Sequence, residues 1–215
     1  MYIYSIKMRK LVTTMVLLAL AGCSDPKAAS EKNFKSAMQN YLDTAYPRCY
    51  FASNFPAIKA DWDIGRKNAA LAALEKAGLL SVKEVQQEEK QMFSQQTRVV
   101  KKQTYDLTAE GKKYYKADAT KNLKGETMGA LCAGKASVKS IGQFTEPAEM
   151  MGQKISRVNY EYTVTDLPAW ATSPDLQMAL DGLKADAQSS STPIKGVVAM
   201  VLTNNGWVHE KMFSR

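Results

Sequence analysis

The chain has 215 residues, 45% hydrophobic, 23% charged and 9% aromatic. This is the balance of a soluble globular protein and excludes a wholly disordered or collagen-like chain. The length allows one or two domains, each with a core of its own. The 29 Lys and Arg against 21 Asp and Glu give a formal charge of +8, and the single histidine leaves little room for His-based metal sites or a His-centred relay.

Lys7, Arg9 and Lys10 precede an uncharged, mostly apolar run from Leu11 to Ala21. A span of the ~30 Å hydrocarbon core takes ~20 apolar residues, so this run is too short. It has the length of a secretory h-region. Met8 offers a second start, since Met8-Arg9-Lys10 begins a more usual n-region. The run closes on Leu20-Ala21-Gly22-Cys23, which resembles the lipobox of bacterial lipoproteins. The resemblance implies a signal peptide over 1–22, cleavage before Cys23, a diacylglyceryl thioether on Cys23 and acylation of the new amine. Two or more chains anchor a protein stably where one does not. Ser24 stands where, in enteric lipoproteins, an aspartate is associated with inner-membrane retention. The expected location is therefore the outer membrane facing the periplasm, in preference to the inner membrane. Small and polar residues over 24–30 suit a flexible tether at 23–30.

With Cys23 lipidated, Cys49 and Cys132 remain. An even number in an oxidising compartment predicts one disulfide; the alternative is two buried free thiols. No metal site is expected from the pair, since His209 lies far along the chain.

Phe34, Ala37, Met38, Tyr41, Leu42 and Ala45 recur at helical spacing, with Ser30 as a cap and Pro47 as a stop. Tyr46 to Pro56, aromatic and bounded by proline, reads as a packed loop around Cys49. A second helix is expected from about Asn68 to Ala77, ended by Gly78. Thr97 to Leu107 reads as a strand, after which Thr108 caps a short helix through Tyr115.

Leu71-Ala72-Ala73-Leu74-Glu75-Lys76-Ala77-Gly78-Leu79-Leu80, followed by Tyr105-Asp106-Leu107-Thr108-Ala109-Glu110-Gly111-Lys112, resembles the winged-helix segment of small bacterial regulators. The resemblance covers about 65–116. It implies a helix ending at a glycine, a β-hairpin wing, and a Leu-Thr-x-x-Gly-Lys turn opening the last helix. It carries no DNA-reading residue onto this chain.

In the second half, Leu131 to Phe144 reads as a strand, with Gly134 and Gly142 marking bends or bulges. Thr145 to Gly152 connects it to a strand in which Val158, Tyr160, Tyr162 and Val164 alternate with polar residues. Ser173 caps a helix with Pro174 in its first turn; Leu176, Ala179, Leu180, Leu183 and Ala187 form its inner face. Ile194 to Leu202 is a buried strand, Asn205-Gly206 a hairpin turn, and Trp207 to Phe213 a last strand. His209 is expected to face away from Trp207's neighbours, as a structural or surface residue. The predicted fold is α+β: an N-terminal helical, winged-helix-like half over 31–125, then an antiparallel sheet with one covering helix over 126–215.

Removing residues 1–22 takes away three basic groups and leaves a net charge of +5. Residues 23–125 hold 18 basic and 12 acidic groups, and residues 126–215 hold 8 and 9. Lys101, Lys102, Lys112, Lys113 and Lys116 are the candidate contacts for an anionic partner, beside the plainer reading of a solvated face. An exported protein does not meet the chromosome, so no nucleic acid is expected.

No catalytic constellation stands out. Ser24-x-x-Lys27 lies in the tether, and no Gly-x-Ser-x-Gly or phosphate-cradling loop occurs. Glu146 with Glu149, and Asp61 with Asp63 around Trp62, are acidic pairs for which sequence alone shows neither the cleft nor the set separation a glycosidase needs. The expectation is a non-enzymatic lipoprotein without cofactor or metal, binding an envelope protein or an anionic envelope polymer, or scaffolding an assembly. The alternative is an envelope enzyme acting on peptidoglycan or another polymer.

Overall fold

The structure, a computed structural model, describes residues 25–61, 66–90, 96–150 and 152–213. Cys23, Trp62 and Asp63 lie outside them. The fold is α+β, built of helices and antiparallel sheets around two adjoining cores.

Helix α1 (Glu31–Ala45) starts where Ser30 accepts a hydrogen bond from the Asn33 amide, as the sequence predicts. It lays Phe34, Ala37, Met38 and Leu42 on a sheet ordered β11-β10-β9-β7. That sheet comprises β7 (Lys135–Phe144), β9 (Gln153–Thr165), β10 (Ile194–Thr203) and β11 (Gly206–His209), with the short β8 (Ala148–Met150) also on β9. Val138, Val158, Val164, Val198 and Met200 face α1, because alternate residues of a strand share a face. The cover of this sheet is thus α1, from the other half of the chain. The helix expected after Ser173 is instead two short ones, α4 (Pro174–Ala179) and α5 (Leu183–Gln188), whose Leu176 and Leu183 fill the other core. Gly182 breaks them apart at φ +80, and a Cβ there would meet the Arg48 guanidinium carbon at 2.7 Å. A side chain there would be strained by the backbone and would have to displace the Arg48 head group.

The other core lies under two three-stranded sheets. One has the order β1-β6-β5, from β1 (Arg48–Ala52), β5 (Tyr115–Lys121) and β6 (Thr127–Ala133). The segment read as a loop around Cys49 is thus largely the strand β1. Its Cys-Tyr-Phe run pairs with Leu131 and Cys132, and Cys49 and Cys132 stand opposite each other in a disulfide. The run read as one strand over Leu131 to Phe144 is two, divided at Gly134 with φ +86; the bulge expected near Gly142 falls between Ile141 and Phe144.

The other three-stranded sheet has the order β2-β4-β3, from β2 (Ala57–Ile58), β3 (Leu80–Lys90) and β4 (Thr97–Leu107). Helix α2 (Lys67–Lys76) precedes it and buries Leu71 and Leu74. Thr108 closes its base. Its hydroxyl donates to the Gly78 carbonyl at 2.7 Å, ties β4 to the end of α2, and accepts from the Gly111 amide to cap α3 (Ala109–Lys112). Helix α3 is shorter than expected, because Tyr115 already belongs to β5. At the C-terminus β11 stops at His209 and the chain turns into α6 (Glu210–Phe213), where the sequence had suggested continued strand.

Candidate functional site

Two features stand apart from ordinary packing: a buried carboxylate below a tyrosine-lined cleft, and a projecting β-ribbon. Asp186, on α5, is fully buried. Its Oδ2 accepts from the Tyr50 hydroxyl at 2.7 Å and from Arg48 Nη1 at 3.4 Å, and its Oδ1 accepts from the Tyr46 hydroxyl at 3.1 Å. A buried charge is tolerated only when it is paired and hydrogen-bonded. Here three donors from one strand and its approach meet one carboxylate from α5, and the knot joins the two cores. Burial, then the hydrogen bond to Asp186, pushes the Tyr50 hydroxyl far above its ordinary range; burial, then Tyr162, does the same for Tyr46. Both phenols stay protonated as donors throughout the physiological range.

Above the knot, Tyr41, Leu42, Ala45, Tyr46, Arg48, Tyr160 and Tyr162 line a cleft of about 230 Å³. Tyr160 and Tyr162 stack at 6.1 Å between centroids. The arrangement offers aromatic faces and one guanidinium whose charge Asp186 already balances. It holds no nucleophile with an adjacent base, the pairing that covalent catalysis requires.

His209 is 3% exposed and stacks on Tyr41 at 3.6 Å. It shares the buried face of β11 with Trp207, two residues away, and does not face away from it; strand periodicity places the two together. Its Nδ1 accepts from the Lys211 amide at 3.0 Å. Burial first, then the Lys211 ammonium, lowers its pKa from 6.5 to about 4. Between those values the unfolded chain binds the proton and the folded chain does not. This stability is complete above pH 6.5 and is lost as the pH falls to about 4, in total about 3 kcal/mol at ~1.4 kcal/mol per unit. Denaturation at stepped pH should show a loss over that window, and His209→Gln should flatten the slope by about one proton. An unchanged slope would contradict the assignment.

The strands β3 and β4 pair through eleven registered positions, from Leu80 opposite Leu107 to Lys90 opposite Thr97. β2 pairs with β4 at Thr104 and Tyr105, and the following Lys59 amide donates to the Gln103 carbonyl at 2.8 Å. Beyond Gln103 the ribbon runs on for roughly 20 Å at ~3.3 Å per residue. Val82, Val85 and Val99 are exposed on it, Val99 to 61%.

The candidate lysines do not gather into one patch. Lys101 and Lys102 are neighbours on β4 and point to opposite faces of the ribbon. Lys101 pairs with Glu84 at 2.8 Å; Lys102 pairs with Asp61 and Glu89, each at 2.8 Å. Lys113 pairs with Glu110. Lys112 and Lys116 are exposed and make no ion pair among the described residues. Glu146 and Glu149 are exposed, while Trp170 and Trp207 are buried. Among the described residues no cluster of His, Cys, Asp and Glu has the spacing to hold a metal, and no helix is long and apolar enough to cross a membrane.

The Asp186 knot escaped the sequence reading. Its partners lie 136 to 140 residues away, and the available signal was an aspartate three residues after Leu183 on the helix's inner face. No family model, curated protein or solved structure matches the chain.

Proposed function

We propose that this chain is a lipid-anchored protein of the bacterial cell envelope, attached through Cys23 and facing the periplasm from the outer membrane. Its role is to bind another envelope protein, not to catalyse a reaction. The lipobox-like Leu20-Ala21-Gly22-Cys23 supports the anchor, and the cross-strand disulfide fits an oxidising compartment. The strand order β2-β4-β3, the preceding α2 and the Thr108 turn support a winged-helix-like reading of 65–116, with the ribbon as its wing.

The observation that carries the binding role is the ribbon. A two-stranded hairpin gains little from its own pairing in water, and this one runs well past its third strand with valines on its surface. Its composition selects among partners. Residues 80–107 hold five basic and four acidic side chains, and Lys101, Lys102 and Arg98 are engaged by Glu84, Asp61 and Glu89. A polyanion finds little unopposed positive charge there. A protein surface can meet Val82 and Val99, which share one face of the ribbon, together with the mixed charges beside them.

A photoreactive residue in place of Val99 tests this in cells. The expected result is a discrete protein adduct, lost in Val82→Lys, which lies on the same face as Val99 and leaves the thermal midpoint unchanged because Val82 is exposed. A Val99 probe that yields no discrete adduct, or one indifferent to Val82→Lys, contradicts the proposal.

A further inference from the structure

Residues 25–28, which lead into α1, do not hang free. The Asn33 side-chain amide donates to the carbonyls of Asp25 and Ala28, each at 2.8 Å. The Trp207 indole N–H donates to the carbonyls of Lys27 and Ala28, each at 3.1 Å. The Lys27 amide donates to the Asp25 carboxylate at 2.8 Å, and the Ala28 amide donates to the Asp25 carbonyl. Gly206, at φ +115, lies so close that a Cβ would meet the Pro26 carbonyl oxygen at 2.9 Å. Trp207 is itself fixed by an edge-on contact with Phe34. Residues 25–28, expected to belong to a flexible tether, are thus clamped to the start of α1 and to the β10–β11 turn.

Chain geometry turns that clamp into an orientation. Cys23 stands two positions before Asp25, a reach of at most ~7 Å. Every passage between the two cores lies at the opposite end of the C-terminal sheet. Lys135 pairs with Thr165 and Ile194 with Tyr162, so β6 enters β7, β9 leaves, and β10 begins at that far end. The end of α1 lies there too, with Tyr46 against Tyr162. From Thr203 back to Ile194 the sheet rises ~30 Å, while α1 climbs ~22 Å.

We infer that the C-terminal sheet is a pedestal. Its Asn204-Asn205 turn rests on the lipid headgroups, and the half that carries the ribbon is held ~30 Å above the bilayer. Exposed Lys27, Lys154 and Met150 share the lower end with the carboxylates of Asp25 and Glu149, so the lipid at Cys23, and not net charge, sets the contact with the headgroups. The inference rests on the proposed lipid at Cys23.

The test uses the mature protein extracted from membranes. With Cys49 and Cys132 joined and Cys23 a thioether, a cysteine introduced by Asn205→Cys or Lys184→Cys is the one thiol open to a fluorophore. The labelled proteins are placed in phosphatidylethanolamine–phosphatidylglycerol vesicles whose headgroups carry a nitroxide quencher. The dye at 205 is expected to lose most of its fluorescence, and the dye at 184, on α5, next to none. Adding Trp207→Phe and Asn33→Ala, which remove the clamp donors, should bring the loss at 205 down toward that at 184. Equal quenching at the two positions in the otherwise intact protein overturns the orientation. A second dye per chain, found by mass before vesicles are added, shows Cys23 to be unlipidated. That overturns the anchor beneath the inference, and it is distinct from a failure of the clamp.

Discussion

Replacing Cys49 and Cys132 together by alanine is expected to lower the unfolding free energy by about 4–5 kcal/mol, the chain-entropy value for a loop of this length. The bond closes a separation of 83 residues. In the unfolded chain it therefore removes a large share of the conformations that would otherwise have to be lost on folding. In the folded chain it joins the edge strand β1 to β6 at a register position where the two cysteines already face each other. Typical domain stabilities are roughly 5–15 kcal/mol, so the loss is a large fraction of the whole. It corresponds to a fall in the thermal midpoint of roughly 10–15 °C for a chain of this size. Denaturant titration of the oxidised protein, the reduced protein and the double variant checks it. The last two should agree, and both should lie well below the first. A difference under ~1 kcal/mol would mean that the bond constrains little of the unfolded state.

Asp186→Ala carries the second large effect, an expected loss of about 3–5 kcal/mol, the cost of breaking a buried ion pair from one side. The substitution leaves the Tyr46 and Tyr50 hydroxyls and the Arg48 guanidinium without their shared acceptor. The Arg48 side chain is 41% exposed, so water compensates part of its loss. The tyrosines, turned inward, have less recourse. Asp186→Asn keeps one oxygen as acceptor and should cost less. Pairing Asp186→Ala with Tyr50→Phe should show a coupling of roughly 0.5–3 kcal/mol, because either single variant already removes the hydrogen bond between them. Additive losses would mean that the 2.7 Å bond is not the one that matters.

The elements legible in the sequence are those whose pattern is local. The apolar face of α1 is framed by a serine cap and a following proline; α2 ends at a glycine; β4 runs from Thr97 to Leu107 as read. Two of the strands that escaped, β3 and β5, lack a buried face to write a period-2 pattern. In β3, Ser81 through Glu88 are all exposed, so nothing in Ser-Val-Lys-Glu-Val-Gln-Gln-Glu distinguishes strand from loop except the partner β4. β5 is likewise polar and becomes a strand by pairing with β6. β1 was obscured by Pro47 and Pro56, which favour a loop reading. The knot was illegible for a different reason. Asp186 sits on a short helix, and only tertiary folding brings Tyr46, Arg48 and Tyr50 to it. The packing of α1 on the C-terminal sheet, and of α4 and α5 in the other core, follows from the same long-range pairing and not from chain order.

The measurement that bears most directly on the proposed role is the fate of the sulfur at Cys23. Cells grown with labelled fatty acid should yield a membrane-bound protein that carries the label and begins at Cys23. Cys23→Ser leaves a hydroxyl in place of a far better sulfur nucleophile, so it should form no thioether, carry no label, and remain uncleaved or be released by another peptidase. Label that persists in Cys23→Ser, or a wild-type protein recovered from the cytosol with its first 22 residues intact, would contradict an envelope lipoprotein.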